Sequence, residues 1–206
     1  MHVSEGILSG PVLLSSAMLT AAGVTIGLRK MPVEKIPEVA VLTSAFFVVS
    51  LIHVPLGPTS VHLLMNGLVG VLLGWMAFPA IFVAVALQAL LFQFGGFTTL
   101  GVNTFIMAAP AVVVYYLFNL PIRRGNHYLS LVMGFAAGAC SVILGGLMVA
   151  LCLCLTAEAF YTAAKAVLIA HLPVMLIEGM VTSFCVSFLK KVKPEILGNP
   201  VIKNYL

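Results

Sequence analysis

The sequence predicts an all-α integral membrane protein of seven transmembrane helices, N-terminus outside and C-terminus cytoplasmic, forming a single domain over residues 1–206. Three observations predict it: the composition, the spacing of the apolar runs, and the side on which basic residues fall. Of the residues, 62% are hydrophobic and 8% charged, whereas soluble domains carry roughly 25% charged residues. Lipid is therefore the solvent for most of this surface. The net charge of +4 is small, and the basic residues flank apolar segments, so they report topology and not nucleic-acid binding.

Taken in order, apolar segments run at 7–28, 38–54, 61–74, 76–94, 103–120, 129–155 and 163–189. Crossing a hydrocarbon core of roughly 30 Å takes about 20 helical residues. A single helix over 61–94 would be about 51 Å long at 1.5 Å per residue, too long for one span. Gly70, Gly74, Trp75 and Pro79 offer a break, so two helices are expected there, the first one short. With seven spans and the N-terminus outside, Arg29, Lys30, Lys35, Arg123, Arg124, Lys190, Lys191, Lys193 and Lys203 share the cytoplasmic side, and Lys165 alone lies opposite. Merging the third and fourth spans would send Arg123 and Arg124 outward.

Two outward loops carry the informative chemistry. Residues 53–62 read HVPLGPTSVH and residues 93–104 read QFGGFTTLGVNT. Irregular polar backbone at membrane depth is tolerated only where protein buries it or it lines a cavity, so these loops are candidate walls of a site. Small residues four apart (Ala17 and Ala21, Gly70 and Gly74, Gly134 and Gly138) are expected to let helices pack closely, within the bundle first and otherwise against a partner. Cys140, Cys152, Cys154 and Cys185 lie in apolar runs without a CxxC pair and read as small buried hydrophobes. Residues 1–10 have no basic n-region, so a cleavable leader is not expected.

The opening Met1-His2-Val3-Ser4-Glu5-Gly6 places a histidine beside an α-amine. The Met1 amine and the His2 amide nitrogen close a five-membered chelate ring, and the amide with the imidazole Nδ1 closes a six-membered one. Three nitrogens then lie in one plane with the fourth corner open, an arrangement suited to Ni(II), Cu(II) or Co(II). Read by position alone, His2 is more readily a polar residue on a frayed chain end. His62, expected to open the third span after Thr59 and Ser60, can complete the square; His53 ranks behind it because it borders two prolines. Glu5 can offset the charge of a bound metal or act as a helix-start acid for residues 7 onward. Gln88, Gln93, Asn66 and Asn103 can support ligands or knit helices together, with Glu5, His53, Ser60, Gln88 and Asn103 the candidates around the metal. Glu178 and His171, seven apart on one helix, suit either a proton relay or a buried acid at an interface. There is no HExxH, GxSxG or phosphate-binding loop, so no enzymatic activity is expected.

MHVSEG, GPTSVH and LLFQFGGFTTLGVNTF together resemble the CbiM/NikM family, the substrate-capture membrane subunits of energy-coupling factor transporters for cobalt and nickel. The likeness covers nearly the whole chain. It implies a seven-helix body in a prokaryotic cell (inner) membrane, with the N-terminus inserted into the bundle. It implies Co(II) or Ni(II) bound as substrate, no cofactor, and as ligands the Met1 amine, the His2 amide and imidazole, and His62. It further implies a transmembrane coupling subunit, a pair of cytoplasmic ATPases and a small extra membrane subunit as partners. Some nickel members carry a GGTTAH-like loop where this chain has GPTSVH, so the choice between metals does not carry over. Two other classes stay open: a haem-binding anchor of a redox complex using His53, His62, His127 or His171, and a cation-coupled carrier using Glu178 and His171.

Overall fold

The computed structural model describes residues 2–51, 53–56 and 59–197, with 53–56 and 59–62 described by their backbone. Its order is α1 (Gly10–Arg29), α2 (Ile36–Val49), β1 (His53–Leu56), β2 (Thr59–His62), α3 (Asn66–Leu73), α4 (Ala77–Phe92), α5 (Leu100–Arg124), α6 (His127–Thr156) and α7 (Tyr161–Val192). Among the described residues there are thus seven α-helices, but the stretches long and apolar enough to cross a membrane number five: Gly10–Arg29, Asn66–Phe92, Leu100–Arg124, His127–Thr156 and Glu158–Val192.

The expected break inside 61–94 is present. A 3₁₀ turn over Gly74–Met76 separates α3 from α4, and it starts at a left-handed Gly74, φ +54°, a conformation that other residues adopt only under strain. The expected start of the third helix at residue 61 is corrected. Residues 59–62 are a strand paired antiparallel with 53–56, in register His53↔His62, Val54↔Val61, Pro55↔Ser60 and Leu56↔Thr59. The fold is therefore helical with one short hairpin, and His62 closes that hairpin where a helix was expected to begin. Pro55 and Pro58 lack the amide hydrogen a helix needs, whereas a two-stranded ribbon is edge on both sides and accepts proline.

At eight residues, α3 is only about 12 Å long. Such a short helix survives because protein encloses it: Asn66, Gly67, Leu68, Val69, Gly70, Val71 and Leu73 are all buried. Close approach requires glycine here, since a Cβ on Gly67 would meet the backbone of Gly138 in α6 and one on Gly70 the Ala111 carbonyl in α5. Gly134 and Gly138 pack likewise against Ser183 and Glu178 of α7, and Ala17 against Gly101, so the small-residue spacing serves packing within the bundle. Outward, α7 exposes Leu172, Leu176, Met180, Phe184 and Phe188.

Side-chain ties mark the two ends of the bundle. At one, Lys30 lies 5.5 Å over the Trp75 ring. At the same end as one another, α5, α6 and α7 are joined where Lys190 Nζ donates to the Ile122 carbonyl at 2.9 Å and to Ser130 Oγ at 2.5 Å. At the other end, Ser9 N donates to Thr156 Oγ1, and residues 2–5 meet the loop between α4 and α5.

Candidate metal site

The amino-terminal segment is not a frayed end. His2 is 4% exposed and Val3 fully buried, and three separate elements hold the segment. From α5, the side chain of Asn103 pairs with both backbone groups of Val3: Val3 N–H donates to Asn103 Oδ1 at 2.8 Å, and Asn103 Nδ2 donates to the Val3 carbonyl at 3.1 Å. Asn103 Nδ2 also donates to Thr99 Oγ1 at 3.1 Å, which fixes the amide's orientation from below. Asn103 thus acts as a short piece of partner strand, satisfying backbone that would otherwise be buried unpaired.

From the loop ahead of α5, Thr98 donates its backbone N–H and its hydroxyl to Glu5 Oε1, at 2.8 and 3.0 Å. The Thr98 backbone N–H, followed by its hydroxyl, holds the Glu5 carboxyl below its usual range. The helix-start alternative for Glu5 is corrected: α1 has no acid in its first turn, and Glu5 reaches across to the entry of α5. The consecutive glycines of this loop make room, with φ +76° at Gly95 and +108° at Gly96; a Cβ on the first would strike Asn103 and on the second the Glu5 carboxyl.

From α4, Gln88 meets His2. His2 Nε2 and Gln88 Oε1 are 3.0 Å apart. Which of them donates is decided further down the chain of hydrogen bonds. Ser50 Oγ gives its hydrogen to the Phe46 carbonyl at 2.6 Å, with Phe47 O at 3.1 Å, so it accepts from Gln88 Nε2, which also donates to the Phe47 carbonyl at 3.3 Å. With its NH₂ turned to α2, Gln88 presents only its carbonyl oxygen to His2. His2 therefore carries its hydrogen on Nε2 and its lone pair on Nδ1, the nitrogen that can close a six-membered ring with the residue's own amide. Metal-ligating histidines usually donate their second nitrogen to a fixed acceptor in this way.

Of the other expected site residues, Met1 lies outside the described residues, and His53, Ser60 and His62 are described only as backbone of the hairpin. Gln93 sits beyond α4 with φ 58°, and Asn66 is fully buried at the start of α3. His171 and Glu178 do not hydrogen-bond to each other: His171 Nδ1 donates to the Val167 carbonyl at 2.6 Å, and Glu178 Oε1 accepts from the backbone of Leu64 and Met65. His127 lies elsewhere, beside Ser187 at 3.1 Å. Among the described residues no three His, Cys, Asp or Glu side chains gather at one point. Ser50 and Thr98 were not singled out from the sequence, although Thr98 falls in a loop expected to wall the site; nothing local in the sequence points Ser50 toward Gln88.

The fold first defines a class. A transition metal transporter of known structure superposes with a TM-score of 0.76 over 93% of both chains, and a truncated one with 0.74 over 93% of this chain and 99% of that one, both at 24% identity. This is a multi-pass helical membrane protein with that fold. The family model for the cobalt uptake substrate-specific transmembrane region, CbiM, matches residues 2–196. A Haemophilus influenzae protein named provisionally as a metal transport protein is 39% identical across 96% of this chain and 97% of its own length. The cobalt transport protein CbiM of Sorangium cellulosum is 32% identical across 96% and 94%. A fused nickel transport protein, NikMN, of Rhodobacter capsulatus is 29% identical across 96% of this chain and 64% of its length. The chain belongs to the CbiM family, the substrate-specific transmembrane region of cobalt uptake, and is a metal transport protein of the prokaryotic membrane.

Proposed function

We propose that this protein captures Co(II) or Ni(II) as the substrate-binding subunit of an energy-coupling factor importer. In this reading the metal is held by the Met1 amine, the His2 amide and Nδ1, and His62, with Glu5, His53, Ser60, Gln88 and Asn103 around it. The observation that carries it is the buried His2, whose Nε2–H is committed to Gln88 so that the lone pair falls on Nδ1. Asn103, which holds both backbone groups of Val3, supports the reading by keeping the residue after His2 in place. The chain crosses the membrane seven times with its N-terminus outside. In support, Lys30 over Trp75 puts the end of α1 and the turn between α3 and α4 together. The partners are a transmembrane coupling subunit, a pair of cytoplasmic ATPases and a small extra membrane subunit; the fused NikMN relatives, longer than this chain, support a further component.

The test is calorimetric titration of the purified protein with Ni(II). One residue added ahead of Met1, or acetylation of its amine, abolishes tight binding while the helical circular dichroism is kept. Tight binding retained by the blocked chain would remove the α-amine from the ligand set.

A further inference from the structure

Glu178 is fully buried in the middle of α7, yet its carboxylate is spent on a different part of the chain. Its Oε1 accepts the backbone N–H groups of Leu64 and of Met65, the latter at 2.8 Å. These are the last two residues before α3, and the helix has no cap of its own: Met65 at its N-cap is left-handed, φ 50°, and supplies no side-chain hydrogen bond. A carboxylate from α7, more than a hundred residues away, caps α3 in its place. The capped segment is also the chain leaving the hairpin. Leu64 is two residues beyond His62, which puts their backbones within about 7 Å of one another.

A helix start alone does not call for this. A serine or asparagine at the N-cap would satisfy the same N–H groups locally and without a buried carboxylate. Here the second oxygen, Glu178 Oε2, is buried without a hydrogen-bond partner among the described residues, as are both side-chain polar atoms of Asn66 and Thr182 Oγ1 one turn along α7. Leaving such groups unpaired costs stability. Glu178 is moreover pinned from behind, since Gly138 of α6 packs on its own carbonyl with no room for a side chain between. The arrangement is costly and rigid, and it fixes one thing: where the strand carrying His62 turns into α3.

We infer that Glu178 is the positioning residue for His62, tying the end of the hairpin to α7 so that the histidine is held at the metal's fourth corner. This rests on the proposed ligand set above. The experiment is a double-mutant cycle on the full-length protein in detergent, with Glu178→Ala and His62→Ala singly and together, read by Ni(II) calorimetry and by the visible absorption of bound Ni(II). Glu178→Ala alone is expected to weaken binding about 10–100-fold, as loss of a ligand's support does. Its Ni(II) spectrum should converge on that of His62→Ala, and in the His62→Ala background it should have less than about a twofold further effect, because a residue that acts through another has nothing left to act on. Glu178→Gln, which keeps an oxygen acceptor in place and guards against simple misfolding, should stay within about fivefold of the native affinity. Equal losses with and without His62 would overturn the inference, as would native affinity and spectrum in a folded Glu178→Ala protein. An unchanged affinity for His62→Ala alone would instead refute His62 as a ligand, and with it the claim that Glu178 acts through it.

Discussion

Replacing Gln88 with leucine removes the acceptor of His2 Nε2–H while keeping nearly the same volume. The damage is confined to His2. Ser50 retains its own donation to the Phe46 carbonyl, and the Phe47 carbonyl retains Ser50 Oγ at 3.1 Å, so no buried donor on α2 is orphaned. What is lost is the Gln88 acceptor of one imidazole N–H in a position 4% exposed, and taking the acceptor from a buried donor costs up to about 1–3 kcal/mol. The metal-free ring can relieve the loss by moving its hydrogen to Nδ1, whereas a ring bound to metal through Nδ1 must keep its hydrogen on Nε2, so the loss falls on the metal-bound form. At 1.4 kcal/mol per tenfold, the Ni(II) dissociation constant rises roughly 5- to 150-fold. Calorimetry on Gln88→Leu measures it, with a thermal melt of the metal-free protein alongside. Native affinity would refute the tautomer argument, as would a drop in metal-free stability with no change in affinity.

Further outcomes follow from the same contacts. Metal affinity should fall as pH drops through about 6.5, where free imidazole protonates and competes with the metal. The Glu5 latch behaves otherwise: its carboxyl is depressed in the folded protein by Thr98, so its contribution is complete above the ordinary glutamate range and lost only as pH falls through the lowered value. Glu5→Gln should therefore leave the midpoint near pH 6.5 in place, and a shifted midpoint would contradict this. Asn103→Leu strips Val3 of both partners and should speed hydrogen exchange at Val3 by about 10-fold or more, measured by mass spectrometry; unchanged protection would show that the segment is held elsewhere. Single cysteines at Ser4 and Glu195, in a background lacking Cys140, Cys152, Cys154 and Cys185, should be labelled from opposite faces of the membrane, and labelling of both by one impermeant reagent in intact cells would end the odd-numbered topology.

By itself the sequence determined the class of protein, the chain's break near Gly74, the polar loop of residues 93–104 that meets the amino-terminal segment, and the order of atoms around His2. Each of these follows from short-range causes. Composition fixes the solvent, a left-handed glycine ends a helix, and chelate rings are set by covalent neighbours. The tertiary structure decided the rest. That residues 59–62 form a strand depended on pairing with 53–56, that Glu5 serves the entry of α5 depended on Thr98, and the orientation of Gln88 depended on a serine of α2. Glu178 shows the division most plainly. Its sequence neighbours show only an acid in an apolar helix beside a possible histidine partner, while its actual role is to accept N–H groups from Leu64 and Met65. Hydrogen bonds between residues a hundred positions apart leave no periodicity or spacing to read, because packing of the helices brings them together and nothing in the local chain does.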